Sequence, residues 1–286
     1  MKKILFPFEI GNPIYRDAYV YAVKLARNLY REVILLNTFK IEEVEDITEA
    51  TYHKLIRENW FRAYNDINRF NQYYLEAHAR IDDELKIKFD HRFIHGLFKD
   101  EIRKTASEEE VGIIVLPISD KKETNRRQLE IIRDNLFERN RVSLFIIPFQ
   151  ESFKPIKNIV FSIDLRKVKK FGNYLDEVVH FARAFDANIH FIHVCPRERS
   201  EIREDSKELQ MVMKVIENDR RHSFQQIFGK DVVKSVNQYV VDNKADLLAV
   251  VKHQHYFLDT LFHKSFSNEI SFNSRVPVLI MREERD

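Results

Sequence analysis

Residues 188–195 read NIHFIHVC, and residues 32–39, 156 positions earlier, read EVILLNTF. Both are apolar runs of strand length. Each follows an amphipathic stretch with an Ala-Arg step, Lys24-Leu25-Ala26-Arg27 in one case and His180-Phe181-Ala182-Arg183 in the other, again 156 apart. The correspondence extends in both directions. Residues 4–9 (ILFPFE) and 159–164 (IVFSID) are short apolar runs ending in a carboxylate, 155 apart. Gly96 and Gly229 correspond at 133, and the runs 113–116 (IIVL) and 142–147 (VSLFII) correspond at 134 to 247–250 (LLAV) and 276–281 (VPVLIM). The chain is written twice, with about 22 extra residues in the first copy between its second run and Gly96. An internal repeat on this scale decides the architecture before any local reading does.

In the second copy, 158–165, 188–195, 246–251 and 276–281 are near-continuous apolar runs, the pattern of parallel strands buried on both faces. Between them, 171–185 places Phe171, Tyr174, Leu175, Val178, Ala182 and Phe185 at helical spacing, and 231–243 does the same with Val232, Val233, Val236, Tyr239 and Val240. A weaker strand at 222–228 precedes Gly229. The order β-α-β-α-β-α-β-α-β predicts right-handed crossovers and a parallel sheet covered by helices. The expected fold is therefore α/β, with two tandem Rossmann-like domains at 1–149 and 156–286, each an open five-stranded parallel sheet with flanking helices. Pro148 and Pro155 bracket the polar connection 149–157 (FQESFKPIK), which is short enough to hold the copies close. The excess of the first copy falls in a long helical insertion at about 46–83, where Ile47, Thr51, Leu55, Trp60, Tyr64, Ile67, Tyr74, His78 and Ile81 form a helical stripe. One helix of that length spans about 57 Å at about 1.5 Å per residue, more than one small sheet covers. It is expected to break, to project, or to pack on the other copy or another chain. Its aromatic residues read as core or interface, since no basic cluster accompanies them as a base-stacking platform requires.

Composition removes several functions. The 286 residues include 5 glycines, where average usage would give about 20, and no two lie within ten residues of each other. That excludes G-x-x-x-x-G-K-[ST] and G-x-G-x-x-G, both of which need clustered glycines so that backbone amides approach phosphate. A net charge of +2 provides no field for nucleic acid or membrane surfaces, so neither is expected as a partner. The single cysteine, Cys195, excludes an intrachain disulfide and fits a reducing, cytoplasmic location. Glu9, Arg16 and Asp17 follow the opening MKKILFPFEI too soon for a signal peptide, and no window approaches the roughly 18 apolar residues of a membrane span.

The arrangement resembles the universal stress protein family in its tandem form, which belongs to the adenine nucleotide alpha hydrolase-like fold. The residues that carry the likeness are the opening strands with their terminal acids, the helices ending in Ala-Arg, the strand ending near His193-Val194, the stretch 229–251 (GKDVVKSVNQYVVDNKADLLAVV), the loop and helix expected from 251–265 (VKHQHYFLDTLFHKS), and the closing Pro277-Val278-Leu279-Ile280. It covers nearly all of the second copy and most of the first, except 40–85. The resemblance implies a non-catalytic stress-response protein acting through protein or ligand binding. It also implies that fifth strands pair across an interface, so that the copies form a pseudo-twofold unit, and that the chain forms a homodimer.

Nucleotide-binding members carry G-x2-G-x9-G-[ST] after the fourth strand. Aligning Ser265 with the hydroxyl position puts the three glycine positions at Val251, Gln254 and Lys264, and the family's frequent loop histidine at His253. None of the glycines is present. In the first copy the matching stretch from Pro117 also lacks glycine, and Ile131 stands at the hydroxyl position. Side chains at Val251 and Gln254 block close backbone approach, so no cofactor is expected. The alternative is ATP or AMP held with Lys264 as a charged phosphate ligand. Asp164, where the family's acid faces its ligand, together with His253, Lys264 and Ser265, forms the candidate ligand edge; Glu9 is the first-copy counterpart of Asp164. Arg166, Lys167, Lys169 and Lys170 read as a solvated loop able to attract an anion. His253, His255 and His263 lack the cysteine or further ligands that a tetrahedral zinc site needs. An enzyme of the related hydrolase-like group would need a phosphate loop after the first strand, where 10–13 offers only Gly11 and 165–171 offers no glycine.

Overall fold

The computed structural model describes residues 2–9, 12, 14–39, 48–78, 87–118, 131, 142–148, 153–165, 171–195, 206–252, 262–264, 270–272 and 274–282. The first half contains β1 (Lys3–Phe8), α1 (Ile14–Leu29), β2 (Val33–Phe39), α2 (Glu49–His78), β3 (Phe89–His95), α3 (Phe98–Glu108), β4 (Val111–Ile118) and β5 (Ser143–Pro148). The second contains β6 (Asn158–Ser162), α4 (Phe171–Phe185), β7 (Asn188–Cys195), α5 (Lys207–Asn218), β8 (Ser223–Phe228), α6 (Val232–Asp242), β9 (Leu247–Lys252), the short strands β10 (Phe262–Lys264) and β11 (Ile270–Phe272), and β12 (Val278–Arg282).

The apolar runs are continuous because both faces of the sheet are covered. Alternate residues of β1 go to opposite layers. Ile4, Phe6 and Phe8 pack with Tyr15, Tyr19 and Leu25 of α1, a layer that α4 and α5 complete with Phe181 and Val212. Leu5 packs on the other side with Ile102 and Ala106 of α3, a layer shared with Val233 and Val236 of α6. Each core runs through both halves of the chain.

Both expected five-stranded parallel sets are present, in the orders β3-β2-β1-β4-β5 and β8-β7-β6-β9-β12. They merge into one ten-stranded sheet because β5 and β12 pair antiparallel, with Leu144 opposite Ile280, Phe145 opposite Leu279 and Ile146 opposite Val278. Aromatic packing reinforces this seam. Phe145 stacks on Phe181 of α4 at 6.3 Å and lies 5.9 Å from Tyr21 of α1. Phe153 of the connection meets Tyr21 edge-on at 5.0 Å, and Ile156 is buried.

The insertion forms one unbroken 30-residue helix, α2, about 45 Å long at about 1.5 Å per residue. Residues 46, 47 and 79–83 lie outside the described residues. Near its start the Tyr52 ring stands perpendicular to that of His95, at 6.0 Å. Between 57 and 72 every described side chain except Asn59 is exposed. Within these residues the helix does not break, and its described side chains are exposed as in a projecting segment.

Glycine scarcity has a backbone consequence. Tyr30, Glu110, Asp186 and Lys244 all have φ between 48° and 52°, the left-handed region where glycine usually closes a helix. They fall at the repeat offsets: Tyr30 and Asp186 end the helix before the second strand of each half, and Glu110 and Lys244 the helix before the fourth. Three of the four ends carry the matching capping bond, from Arg31 N–H to Ala26 O (2.9 Å), Ala187 N–H to Ala182 O (2.9 Å) and Ala245 N–H to Val240 O (3.0 Å). Gly229 is retained for space: a Cβ there would strike the Ser235 side chain, whose hydroxyl donates to Asp231 O at 2.8 Å. A left-handed residue with a side chain costs about 1–2 kcal/mol, partly offset by the extra chain entropy glycine loses on folding. Tyr30 is 66% exposed, so Tyr30→Gly loses little packing. It is expected to stabilise the protein by about 0.5–1 kcal/mol in urea denaturation.

A side-chain hydrogen bond also crosses the seam. The buried Ser143 hydroxyl of β5 donates to Glu177 Oε1 of α4 at 2.7 Å. Burial pushes the Glu177 carboxyl up, opposed by this hydrogen bond and by Arg31, Lys2 and His180. A carboxyl raised by folding binds its proton more tightly in the folded state. Stability is therefore full below the unfolded value of about 4.3 and falls as pH rises through the folded value. Glu177→Gln keeps an acceptor for Ser143 and removes the charge. It should leave stability unchanged near pH 4 and raise it at pH 7–8. Lower stability of the variant at pH 8 would show that the attraction of Arg31 outweighs burial.

Candidate functional site

In each half the chain leaves the first and fourth strands in opposite directions, which opens a crevice at the carboxyl ends of β1 and β4 and of β6 and β9. This is where open α/β sheets take ligands. Asp164 lies two residues past β6, at the edge of that crevice, with its side chain 27% exposed. Its Oδ1 is 3.8 Å from Nδ1 of His193. His193 is fully buried in β7, and its Nδ1 is 3.1 Å from Ile163 O. A carbonyl can only accept, so Nδ1 carries the proton in this contact. Ile163 N–H in turn donates to Ile192 O at 3.1 Å. The segment carrying Asp164 is thus fixed to the strand beside it.

The first half repeats the device with a different side chain. Asn37, 2% exposed, donates from Nδ2 to Phe8 O at 2.9 Å. Asn37 and His193 are 156 positions apart, and Phe8 and Ile163 are 155 apart, matching the repeat. Glu9 is tied locally: Asn12 Nδ2 donates to its Oε2 at 3.2 Å, and Asn12 Oδ1 accepts from Ile14 N–H at 3.3 Å at the start of α1. Sequence reasoning did not single out Asn37 or His193 as a matched pair. The available signal was a polar residue at equivalent positions of two otherwise apolar runs.

The stretch 251–265, read by resemblance as a loop and a following helix, is built differently at its two described ends. β9 runs through Val251, which pairs with Met281 and is buried, so the first of the three glycine positions is occupied by a core strand residue. Lys264 does not stand at a helix start. It belongs to β10, where Phe262, His263 and Lys264 pair antiparallel with Phe272, Ser271 and Ile270. A helix start presents free amides to phosphate, whereas a hairpin engages backbone amides in its ladder. The described residues therefore do not fit the family's phosphate cradle. His253, Gln254 and Ser265, with Gly11, His255, Arg166, Lys167, Lys169 and Lys170, lie outside the described residues, so the structure brings together only Asp164 of the four candidate ligand residues with a defined neighbour.

At the opposite end of the sheet, a cavity of about 230 Å³ lies where the halves meet, lined by Tyr21, Lys154, Lys244, Ala245, Asp246 and Val276. Asp246 is already engaged: its Oδ2 accepts from both Lys157 N–H and Asn158 N–H at 2.9 Å, which caps the entry to β6.

Residues 155–282 match the universal stress protein family. The second half of the chain is thus similar in sequence to that family. A universal stress protein from Archaeoglobus fulgidus has the same fold over 98% of both chains, with a TM-score of 0.68 and 16% identity. The cytoplasmic domain of a prokaryotic cation chloride cotransporter matches 99% of this chain and 95% of its own, with a TM-score of 0.60 and 11% identity. No curated protein matches the chain by sequence. The chain therefore shares with both structures a full-length fold, of which its own sequence repeat is the outward sign. No described helix is long and apolar enough to cross a membrane.

Replacing Asn37 by alanine removes the donor to Phe8 O and leaves a buried acceptor short of a partner. The expected loss is about 1–3 kcal/mol, read from the denaturation midpoint. An unchanged midpoint would mean that another donor replaces the amide.

Proposed function

We propose that this chain is a non-catalytic stress-response protein that works in the cytoplasm by binding a protein partner or small ligand, forms a homodimer, and needs neither ATP nor AMP as a cofactor. The observation that carries this reading is the continuation of β9 through Val251 together with the hairpin at Lys264. Both differ from the bare-backbone turn and helix start on which a nucleotide-binding member of the fold rests its phosphates, and this supports a reading without nucleotide. Asp164, His253, Lys264 and Ser265 remain the residues assigned to the ligand edge, with Asp164 as its fixed point. A further support is that the same fold serves as the cytoplasmic domain of a cotransporter, a setting outside soluble enzymes.

Isothermal titration with ATP and with AMP is the test. The expected result is no saturable heat at millimolar nucleotide, and no hydrolysis of either nucleotide on prolonged incubation. Micromolar binding that is lost in Lys264→Ala would overturn the reading and establish a nucleotide sensor in which a lysine replaces the missing backbone amides.

A further inference from the structure

We propose that the edge unit of the second half, α5 with β8, is latched to the sheet by a proton-sensitive contact and opens in mild acid, while the corresponding edge of the first half stays closed. The latch is His222, in the turn between α5 and β8 and 7% exposed. Its Nδ1 accepts from Ile189 N–H, at the start of β7, at 3.0 Å. An accepting ring nitrogen carries no proton, so the imidazole is neutral with its proton on Nε2. A doubly protonated ring has only donors. The Ile189 amide would then face a second N–H, and a buried donor would lose its partner.

The first half makes the same connection without a titratable group. Val33, 156 positions before Ile189, donates its N–H to Lys88 O at 3.0 Å. A backbone carbonyl remains an acceptor through the whole range in which histidine titrates. Phe89 stands where His222 stands in the repeat, 133 positions earlier, and stacks on Tyr19 of α1 at 6.4 Å and 27°. Equivalent backbone amides thus meet a proton-blind acceptor in one copy and a proton-sensitive one in the other.

The groups around His222 are Asp219 and Arg221 of its own turn, Arg183 of α4 and His190 of β7. Asp219 Oδ2 lies 3.9 Å from Nε2 and favours the cation. It is already held by Arg221, whose Nη2 donates to Oδ2 at 2.8 Å. That pairing keeps the Asp219 carboxyl down to about 2, so it stays ionised throughout mild acid. Asp186, just past α4, is engaged by Arg221 at 2.8 Å and by Lys157 at 3.4 Å. Burial outweighs the attraction of Asp219 and pushes the His222 ring down, with Arg221, Arg183 and His190 acting in the same direction. His190 is pushed down by burial too, but its Nδ1 is 3.0 Å from the Ser223 hydroxyl, which can accept as well as donate. That contact survives protonation; the one at His222 does not. A group lowered by folding supports the fold fully above its unfolded value of about 6.5. The support is lost as pH falls below that towards the folded value.

The loss falls where the sheet is least able to absorb it. β8 lies at the edge of the ten-stranded sheet and has no fully buried residue. Of α5 only Leu209 and Val212 are buried. Segments with few buried contacts open locally before the rest of a fold does.

The test is hydrogen–deuterium exchange of the full chain at pH 7.5 and 5.5, with labelling times scaled to the intrinsic exchange rate at each pH. The amides of 207–228 are expected to open about fivefold more often at pH 5.5, the scale of one broken buried hydrogen bond, with those of 87–95 unchanged. His222→Asn keeps an acceptor oxygen near the Nδ1 position and cannot titrate, so its 207–228 segment should exchange alike at both pH values. Equal protection of the native protein at both values, an equal loss in 87–95, or a pH response that persists in His222→Asn overturns the proposal. If that variant does not fold, a histidine-selective NMR titration of the native protein decides. The Ile189 amide should shift together with the His222 ring, at one midpoint below 6.5. A ring that stays neutral down to pH 5, or an amide that its titration leaves unmoved, overturns the latch.

Discussion

The antiparallel pairing of β5 with β12 is the contact on which the rest of the molecule depends. Within each five-stranded set all strands run parallel, and each set alone would end in an open fifth strand. An open edge is a row of unpaired amides and carbonyls that invites other chains. Joining the two fifth strands removes both edges at once and makes the two layers of core continuous from one half to the other. The edges that remain, β3 and β8, are partly exposed and carry His91, Arg92, Gln225 and Gln226, polar side chains that make further strand addition unfavourable. The position of Phe153 against Tyr21 and of Glu177 against Ser143 follows from that one junction.

Most of the fold was legible because burial on both faces writes parallel strands as uninterrupted apolar runs. NIHFIHVC at 188–195 is β7 to the residue, and Phe171–Phe185 is α4. What escaped was whatever depended on partners distant in the chain. Asn37 and His193 look like polar interruptions of a strand until the neighbouring carbonyl ends of β1 and β6 come beside them. The left-handed helix ends escaped because their usual marker, glycine, is replaced by Tyr30, Glu110, Asp186 and Lys244. The hairpin of β10 and β11 was read as a helix start by resemblance. Its own residues also speak for strands, since Phe262, Ile270 and Phe272 favour extended backbone.

The candidate site was legible as a location and only partly as chemistry. The terminal acid at Asp164 marked the correct edge of the sheet, since a carboxylate just past a first strand must lie at the crevice. The missing glycines gave no hint that the fourth strand carries on through Val251 or that Lys264 lies in a strand. Low glycine content acts at two levels in this protein. It puts side chains at the three positions where the resemblance would place glycine, and it leaves strained helix ends elsewhere that packing and capping bonds must hold.

The connection at 149–157 has a consequence for how the two halves are free to differ. Two separate chains that met through their fifth strands would have to be identical, and their meeting would depend on concentration. A short tether turns that encounter into an intramolecular one, with an effective concentration in the millimolar range. Symmetry is then a residue of the fold, no longer a requirement of assembly. One half closes its first-strand end with an asparagine and sends out a 30-residue helix; the other uses a buried histidine next to Asp164 and carries a hairpin instead. The chain is built like a dimer whose subunits can specialise, with the long helix in one half and the Asp164 crevice in the other.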